Sequence, residues 1–319
     1  VGIVMVNITH PGVGFTLDNM QAFDTSKVKT PSFVNFLFDM VPVNIVDSMA
    51  KNQIMQMIFF TVLVGVALVS LGEKVAGVTK IFDQCASIIY KMLDIVMLYS
   101  PIGVLALMAN TTAVFGPKLF GVLAKFVFTD WVGCLLIWFF FSGIVWLYTK
   151  VNYLEMCKSM IPIWVNTIAT NSSAGTIPIT LNVTTERLKV PMSIASFSIP
   201  LGATINLTGA ALYKTILAFF VAEIYGLQLT IDQILMVIII STIMSIAAPG
   251  IPGGGIVTGA IFLNLLGLPM DLMGPIAGMY RLIDMSHTTV NVSGDVLGTM
   301  LVAKNENIWT GEDFNKTLV

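Results

Sequence analysis

The stretch Arg281–Asp295, Arg-Leu-Ile-Asp-Met-Ser-His-Thr-Thr-Val-Asn-Val-Ser-Gly-Asp, lies between apolar runs on both sides and so reads as the interior of a membrane helix. Within it His287, Asn291 and Asp295 follow Asp284 by three, seven and eleven residues. At about 100° per residue these steps return close to one face. A charged side chain near the bilayer centre costs about 2.5–3.5 kcal/mol on insertion scales, so two acids on one stripe must face protein, water or ions. The stripe is either a set of structural hydrogen bonds between helices or an ion and substrate pathway.

The remainder of the chain supports that setting. Of its 319 residues 56% are hydrophobic and 11% charged, far less charge than a soluble domain carries. The apolar runs Ile54–Leu71, Ile81–Val114 and Phe126–Tyr148 are on the scale of the ~20 residues that a spanning helix needs. The fold class is therefore an all-α polytopic membrane protein. A net charge of −2 with few, scattered Lys and Arg excludes nucleic acid as a partner. Cys85, Cys134 and Cys157 are far apart, within or beside apolar segments, and read as small hydrophobes rather than disulfides or ligands. Val1–Phe15 has neither a basic n-region nor a small-residue cleavage site and does not read as a signal peptide. The chain begins without Met inside an apolar segment, which suggests that residues precede it.

In chain order, residues 1–15 read as the end of a spanning helix broken at His10-Pro11-Gly12, and residues 16–32 as an external loop. Phe33–Ala50 mixes apolar residues with Asp39, Pro42 and Asp47, a broken or interfacial segment before the span Ile54–Leu71. Ile81–Val114 is too long to cross a ~30 Å core upright and should tilt, with a kink near Ser100-Pro101. A further span covers 119–150. Beyond it, apolar segments carry polar breaks in their middles: Ala169–Pro178, Gly202–Gly209 and Ala248–Gly255, followed by the stripe. Non-helical backbone at membrane depth is tolerated only where protein or a water-filled cavity satisfies it. The alternation predicts a helical hairpin at 153–186, a broken helix at 190–224, a second hairpin at 230–267 and a helix at 271–304, a twofold internal repeat. Residues 306–319 read as a tail.

Positive charge orients the chain. With both hairpins returning to their own side, one side collects Lys74, Lys80, Lys150, Lys158, Arg187, Lys189, Lys304 and Lys316. The other collects Lys27, Lys29, Lys51 and Lys118, with Lys125 the marginal case. The richer side, which includes the C-terminus, should be cytoplasmic. The two re-entrant hairpins then enter from opposite faces, as an inverted-repeat transporter with a midplane site requires.

Four motifs in this order and spacing resemble those of the dicarboxylate/amino acid:cation symporters, the glutamate-transporter family, over residues 1 to about 305. They are Ser172-Ser173-Ala174-Gly175-Thr176, Gly-Ala-Thr-Ile-Asn at 202–206, Gly250-Ile251-Pro252-Gly253, and Asn291-Val-Ser-Gly-Asp295. By comparison with the family, two N-terminal helices and most of a third are absent. The resemblance implies a homotrimer in the cell membrane, with a static scaffold at 33–115 and a mobile transport domain at 116–305 working by elevator-type alternating access. It implies that Asp284 binds a substrate amino group and Asn291 its α-carboxylate, with Ser172, Ser173, Gly250 and Thr288 completing the site and His287 in the place of the side-chain ligand. It implies one sodium site at Asp295 with carbonyls of Gly202, Asn206 and Asn291. A second would use carbonyls of Thr204, Ser245, Ile246 and Ala248. Sodium is the coupling ion in this reading and no cofactor is expected. The second hairpin's glycine-rich tip would be the external gate.

Departures from the family pattern bear on substrate and ion. Thr208 stands where the family has an acid that helps bind a third sodium. Ala210 and His287 replace the Thr and Arg that grip a side-chain carboxylate. Lys214 stands where animal relatives carry an acid linked to proton and potassium coupling, while Arg281 lies outside the matched positions and reads as structural or gating. The expected function is sodium-driven symport of an amino acid, acidic or small polar to neutral. Its rivals are a proton-coupled transporter of C4-dicarboxylates or neutral amino acids, and a solute-gated channel on the same fold. Two histidines and three isolated cysteines assemble no nucleophile–base pair, so an enzyme is not expected.

Overall fold

In the computed structural model of the chain, residues 1–15, 38–51, 53–246, 248, 250 and 252–316 are described, and no strand occurs among them. The expected loop at 16–32 and the first residues of the segment 33–50 lie outside the described residues. The chain forms two compact units, residues 30–114 and residues 1–29 with 115–319.

In the smaller unit α2 is Ile45–Ala50, α1 being Gly2–Thr9 of the larger unit. The side chain of Asn44 caps α2 by accepting from Val46 N at 3.0 Å. Then come α3 (Ile54–Leu71), a 3₁₀ turn Gly72–Val75, α4 (Ala76–Met97) and α5 (Ser100–Phe115). Gly72 takes φ +53, a left-handed value suited to glycine, where α3 ends. The run Ile81–Val114 is thus two helices, interrupted just before Pro101. Pro101 has no N–H with which to carry α4 onward, and it sits in the first turn of α5, where that missing N–H costs nothing. α3 is apolar all round, with Val62, Val66 and Val69 exposed, as suits a helix facing lipid.

The larger unit holds α1, α6 (Lys118–Thr149), α7 (Tyr153–Thr170), α8 (Ser173–Asn182), α9 (Met192–Ile205), α10 (Thr208–Ile224), α11 (Ile231–Ile246), α12 (Gly254–Leu265), α13 (Met273–Asn305) and α14 (Gly311–Lys316). Among the described residues three helical stretches are long and apolar enough to cross a membrane: Met55–Ile89, Lys118–Thr149 and Met192–Ile224. α13 has 33 residues, about 50 Å at 1.5 Å per residue. It is the central rod, packed on α6, α7, α8, α9, α10 and α12. It is more than long enough to span, but its polar stripe needs protein around it, and those neighbours supply it.

Small residues let the helices approach closely, the usual means of association where lipid offers no hydrophobic drive. A Cβ on Gly209 would lie 2.6 Å from the Cα of His287, so α10 and α13 touch at backbone distance there. Hydroxyl and indole groups stitch the rod in place: Trp164 Nε1 donates to Ser293 Oγ (3.0 Å), and Thr167 pairs with Thr289 and Ser198 with Thr299 (both 2.8 Å). α1 ends at His10, whose φ is +44, and Glu223 on α10 holds the following turn by accepting from Gly12 N at 2.7 Å. Tyr225, just past α10, donates to Asp271 Oδ2 at 2.8 Å, and its burial with that bond pushes the phenol above its usual range.

Of the expected tail at 306–319, the described residues 306–316 carry α14 and fold back. Trp309 and Phe314 are buried, the Trp309 indole donates to Leu188 O (3.1 Å), and Asn315 Oδ1 accepts from Asn152 N (2.8 Å).

Candidate functional site

Two helix pairs, α7–α8 and α11–α12, turn in the middle of the larger unit, and their tips meet. In the first, Asn171 adopts φ +51, which turns the chain, and Ser172 caps α8 by accepting from Gly175 N at 3.0 Å. In the second, Gly253 at φ +77 precedes α12. Ser172 Oγ donates to Gly250 O (3.1 Å), as does Ala174 N (3.4 Å). Gly250 is also pressed on α9, since a Cβ there would lie 2.9 Å from Ala203 O. Arg281 clamps the first tip to α13: its guanidinium donates to Ala169 O (3.3 Å) and its carbonyl accepts from Asn171 Nδ2 (2.8 Å).

Beneath the tips lies a cavity of about 30 Å³, bordered by Ser173, Gly250, Asp284, His287, Thr288 and Asn291 among others. Room for about one water is far below the roughly 300–1,000 Å³ of small-molecule pockets, so an organic solute enters only if a tip moves. Asp284 Oδ2 accepts from Gly253 N at 3.1 Å and ties the second tip to the stripe. Asn291 Oδ1 accepts from Gly209 N at 2.8 Å. Because that amide can only donate, the Asn291 orientation is settled and its NH₂ is the group left to meet an acceptor.

One turn further, Asp295 Oδ1 accepts from Asn206 Nδ2 at 2.8 Å, and the same amide donates to Asn291 O at 3.0 Å. Gly202 O accepts from Asn206 N at 2.8 Å, so that carbonyl keeps a second lone pair, and Gly202 lies against the carboxylate. Asp295 Oδ2 is buried with no hydrogen-bond partner among the described residues. Oxygen atoms alone, one of them an unpartnered carboxylate, make a donor set suited to a small hard cation. Thr208 turns its hydroxyl onto Asn206 Oδ1 at 2.7 Å. A second cavity, about 340 Å³, reaches Asp295, Gly202 and Asn206 between α6, α9 and α13.

The four residues matched to a second cation are less uniform. Ser245 is engaged by Lys214, whose Nζ donates to Ser245 Oγ (3.2 Å) and Ala210 O (3.3 Å). Ala248 borders the smaller cavity, while Ile246 and Thr204 are exposed, the threonine hydroxyl donating to Leu201 O at 2.7 Å. Lys214 is fully buried, with no carboxylate in ion-pair reach among the described residues.

One residue at the site escaped the motif reading. Asp130 on α6 is wholly buried; its Oδ1 is 2.9 Å from His287 Nε2, and its Oδ2 accepts from Ser286 Oγ at 3.0 Å. A lone acid inside an apolar run was its only signal. Ligand atoms of Asp130, Cys134 and His287 lie within 4.8 Å of one another. The 2.9 Å contact is a hydrogen bond, whereas two ligands each ~2.0–2.2 Å from a tetrahedral ion sit roughly 3.3–3.5 Å apart.

Apolar spanning helices, paired tips closing on a buried polar cavity and an oxygen-lined carboxylate beside it define a membrane transport protein rather than an enzyme. The sequence profile described as "Sodium:dicarboxylate symporter family" matches residues 1–305. The chain is similar to the proton/glutamate-aspartate symporter of Bacillus subtilis (strain 168), at 31% identity over 98% of this chain and 77% of that one. It is similar to the proton/sodium-glutamate symport protein of Bacillus caldotenax, at 29% over 98% and 75%, and to the C4-dicarboxylate transport protein of Bacillus subtilis (strain 168), at 29% over 96% and 74%. The chain belongs to the sodium:dicarboxylate symporter family, and is a membrane symporter.

Proposed function

We propose that the chain moves an amino acid together with sodium by alternating access, binding both along the α13 stripe beneath the two tips. The observation that carries this reading is the convergence of Asp284, Asn291 and Asp295 with both tips in one compact unit. Asp284 would take the substrate ammonium, and the Asn291 amide with the N-terminus of α8 its carboxylate. Asp295 with the carbonyls of Gly202, Asn206 and Asn291 would hold the cation. A site contained within one unit can travel as a body, which supports an elevator-type step. Residues 33–115 would then be the static scaffold of a homotrimer in the cell membrane, with the C-terminus cytoplasmic. The helix pairs would be re-entrant, and the glycine-rich tip at Gly250–Gly253 the gate.

Coupling to protons is the second reading, and Lys214 favours it. Lys214 Nζ meets the hydroxyl of Ser245, a residue whose carbonyl is matched to the second cation, and a proton on that amine would repel a second sodium nearby. Glutamate, aspartate and C4-dicarboxylates, for which the relatives are named, are the solutes to try first, with small neutral amino acids beside them because Ala210 and His287 replace the usual side-chain ligands.

The test is uptake of labelled solutes into proteoliposomes containing the full-length protein, with sodium and proton gradients imposed separately. Accumulation of an amino acid against its gradient with sodium alone supports the first reading, and with protons alone the second. Ionic current without accumulation would contradict both and point to a channel.

A further inference from the structure

We propose that Asp130 and His287 act as a proton-carrying pair that reads the charge of the substrate's side chain: an acidic side chain binds with one proton taken up on the imidazole, a neutral one without. This rests on the cavity being the substrate site and deepens that reading.

Asp130 is 0% and His287 2% exposed. An ionised carboxylate buried this far is tolerated only with donors around it. It has the His287 ring nitrogen at 2.9 Å, the Ser286 hydroxyl at 3.0 Å and the Cys134 thiol at 4.0 Å. An acceptor-only carboxylate facing Nε2 requires the proton on that nitrogen and so selects the tautomer. In the neutral ring the other nitrogen, Nδ1, is then a bare lone pair. It is buried with no hydrogen-bond partner among the described residues, and the ring borders the cavity.

The consequence is a rule linking charge to protonation. A substrate carboxylate brought to Nδ1 meets a lone pair and is repelled, unless Nδ1 takes a proton from solution and becomes a donor. The imidazolium then lies between two carboxylates, Asp130 and the substrate's, and the proton leaves when the substrate does. No covalent bond changes apart from that N–H. A hydroxyl or amide N–H on a neutral substrate donates to the lone pair directly and needs no proton.

The elements packed around the pair contribute other titratable groups, and the Asp130 and His287 variants separate the pair from them. α6 contributes Asp130 and Cys134; α10 contributes Tyr213, its ring centroid 5.5 Å from the imidazole. On α13 itself stand Asp284, one turn earlier and bonded to Gly253, and Tyr280, its ring 6.3 Å away. Lys214 donates to Ser245 and Ala210 O and Arg281 to Ala169 O, while Asp295, two turns along α13, accepts from Asn206. α8, α9 and α12 contain no titratable residue, while those of α7 and α11 fall in Tyr153–Lys158 and at Asp232, in the first turns of their helices.

Calorimetric titration of the full-length protein, at pH 8 and saturating sodium in two buffers of different ionisation heat, counts the protons. Aspartate is expected to take up about one proton and serine none. Aspartate affinity should fall as pH rises, by up to about tenfold per pH unit for one proton taken up, while serine affinity stays flat. In Asp130→Asn the new amide can donate to Nε2, which moves the ring proton to Nδ1, so proton uptake with aspartate should drop towards zero. His287→Gln should do the same. Aspartate binding without proton uptake by the parent protein, or undiminished uptake by Asp130→Asn, would overturn the inference while leaving the transport reading intact. Absence of saturable binding by any solute would overturn both.

Discussion

Substitution of Gly202 by alanine should disable the cation site while sparing the fold. The added Cβ would overlap Asp295 Oδ1, lie 2.6 Å from the carboxyl carbon and 3.0 Å from its Cβ. Carbon atoms in contact rest about 3.5–4.0 Å apart, so the carboxylate must retreat by roughly 1 Å. Its 2.8 Å bond from Asn206 would break or stretch. Overpacking of this kind costs about 1–3 kcal/mol, which corresponds to roughly 5- to 150-fold in the affinity of whatever the carboxylate binds. Alanine also favours helix by about 1 kcal/mol over glycine, which offsets part of that cost, so the fold should persist with at most a modestly lower melting temperature. The matched control is Gly298→Ala: it lies on the same cavity, one turn past Asp295, and no atom lies within 4 Å of its added Cβ. Sodium titration of substrate binding should show a weakened response in Gly202→Ala and a parental one in Gly298→Ala. A parental sodium response in Gly202→Ala would refute the placement of the cation at Asp295.

Asp284→Asn should weaken amino-acid binding by roughly 10- to 150-fold, the range of a charge-assisted hydrogen bond at about 1.5–3 kcal/mol. It should affect a dicarboxylate without an amino group far less; equal losses for both, in competition binding, would count against the ammonium assignment. Lys214→Met removes a buried amine without an acid partner among the described residues, so thermal melting should stay level or rise. If the ammonium stands in for an ion, the variant's substrate affinity should also respond more steeply to sodium, and an unchanged slope would reduce Lys214 to a structural bond.

The membrane class and helical build were legible because runs such as Ile54–Leu71 have no soluble solution. The stripe was legible because helical periodicity aligns Asp284, His287, Asn291 and Asp295 whatever surrounds them. What lay beyond reach was everything set by approach between distant segments. No spacing says that Gly250 O receives Ser172, 78 positions away in the chain, or that Asp130 faces His287 at a separation of 157. Lys214 was noticed for its charge, yet its bond to Ser245 depends on how α10 packs on α11. The interruption before Pro101 illustrates a third case. The sequence places a kink near Ser100-Pro101, and the missing backbone donor goes further, ending one helix and opening the next.

The most direct test of the central claim is equilibrium binding of aspartate to the full-length protein as sodium and pH are varied, in the parent and in Asp295→Asn. Substrate and cation bound in one connected site must strengthen each other equally. The account predicts that parental affinity climbs with sodium at least in proportion to its concentration, and that Asp295→Asn flattens this dependence. Affinity indifferent to sodium in the parent, or a sodium dependence unaltered by Asp295→Asn, would contradict it.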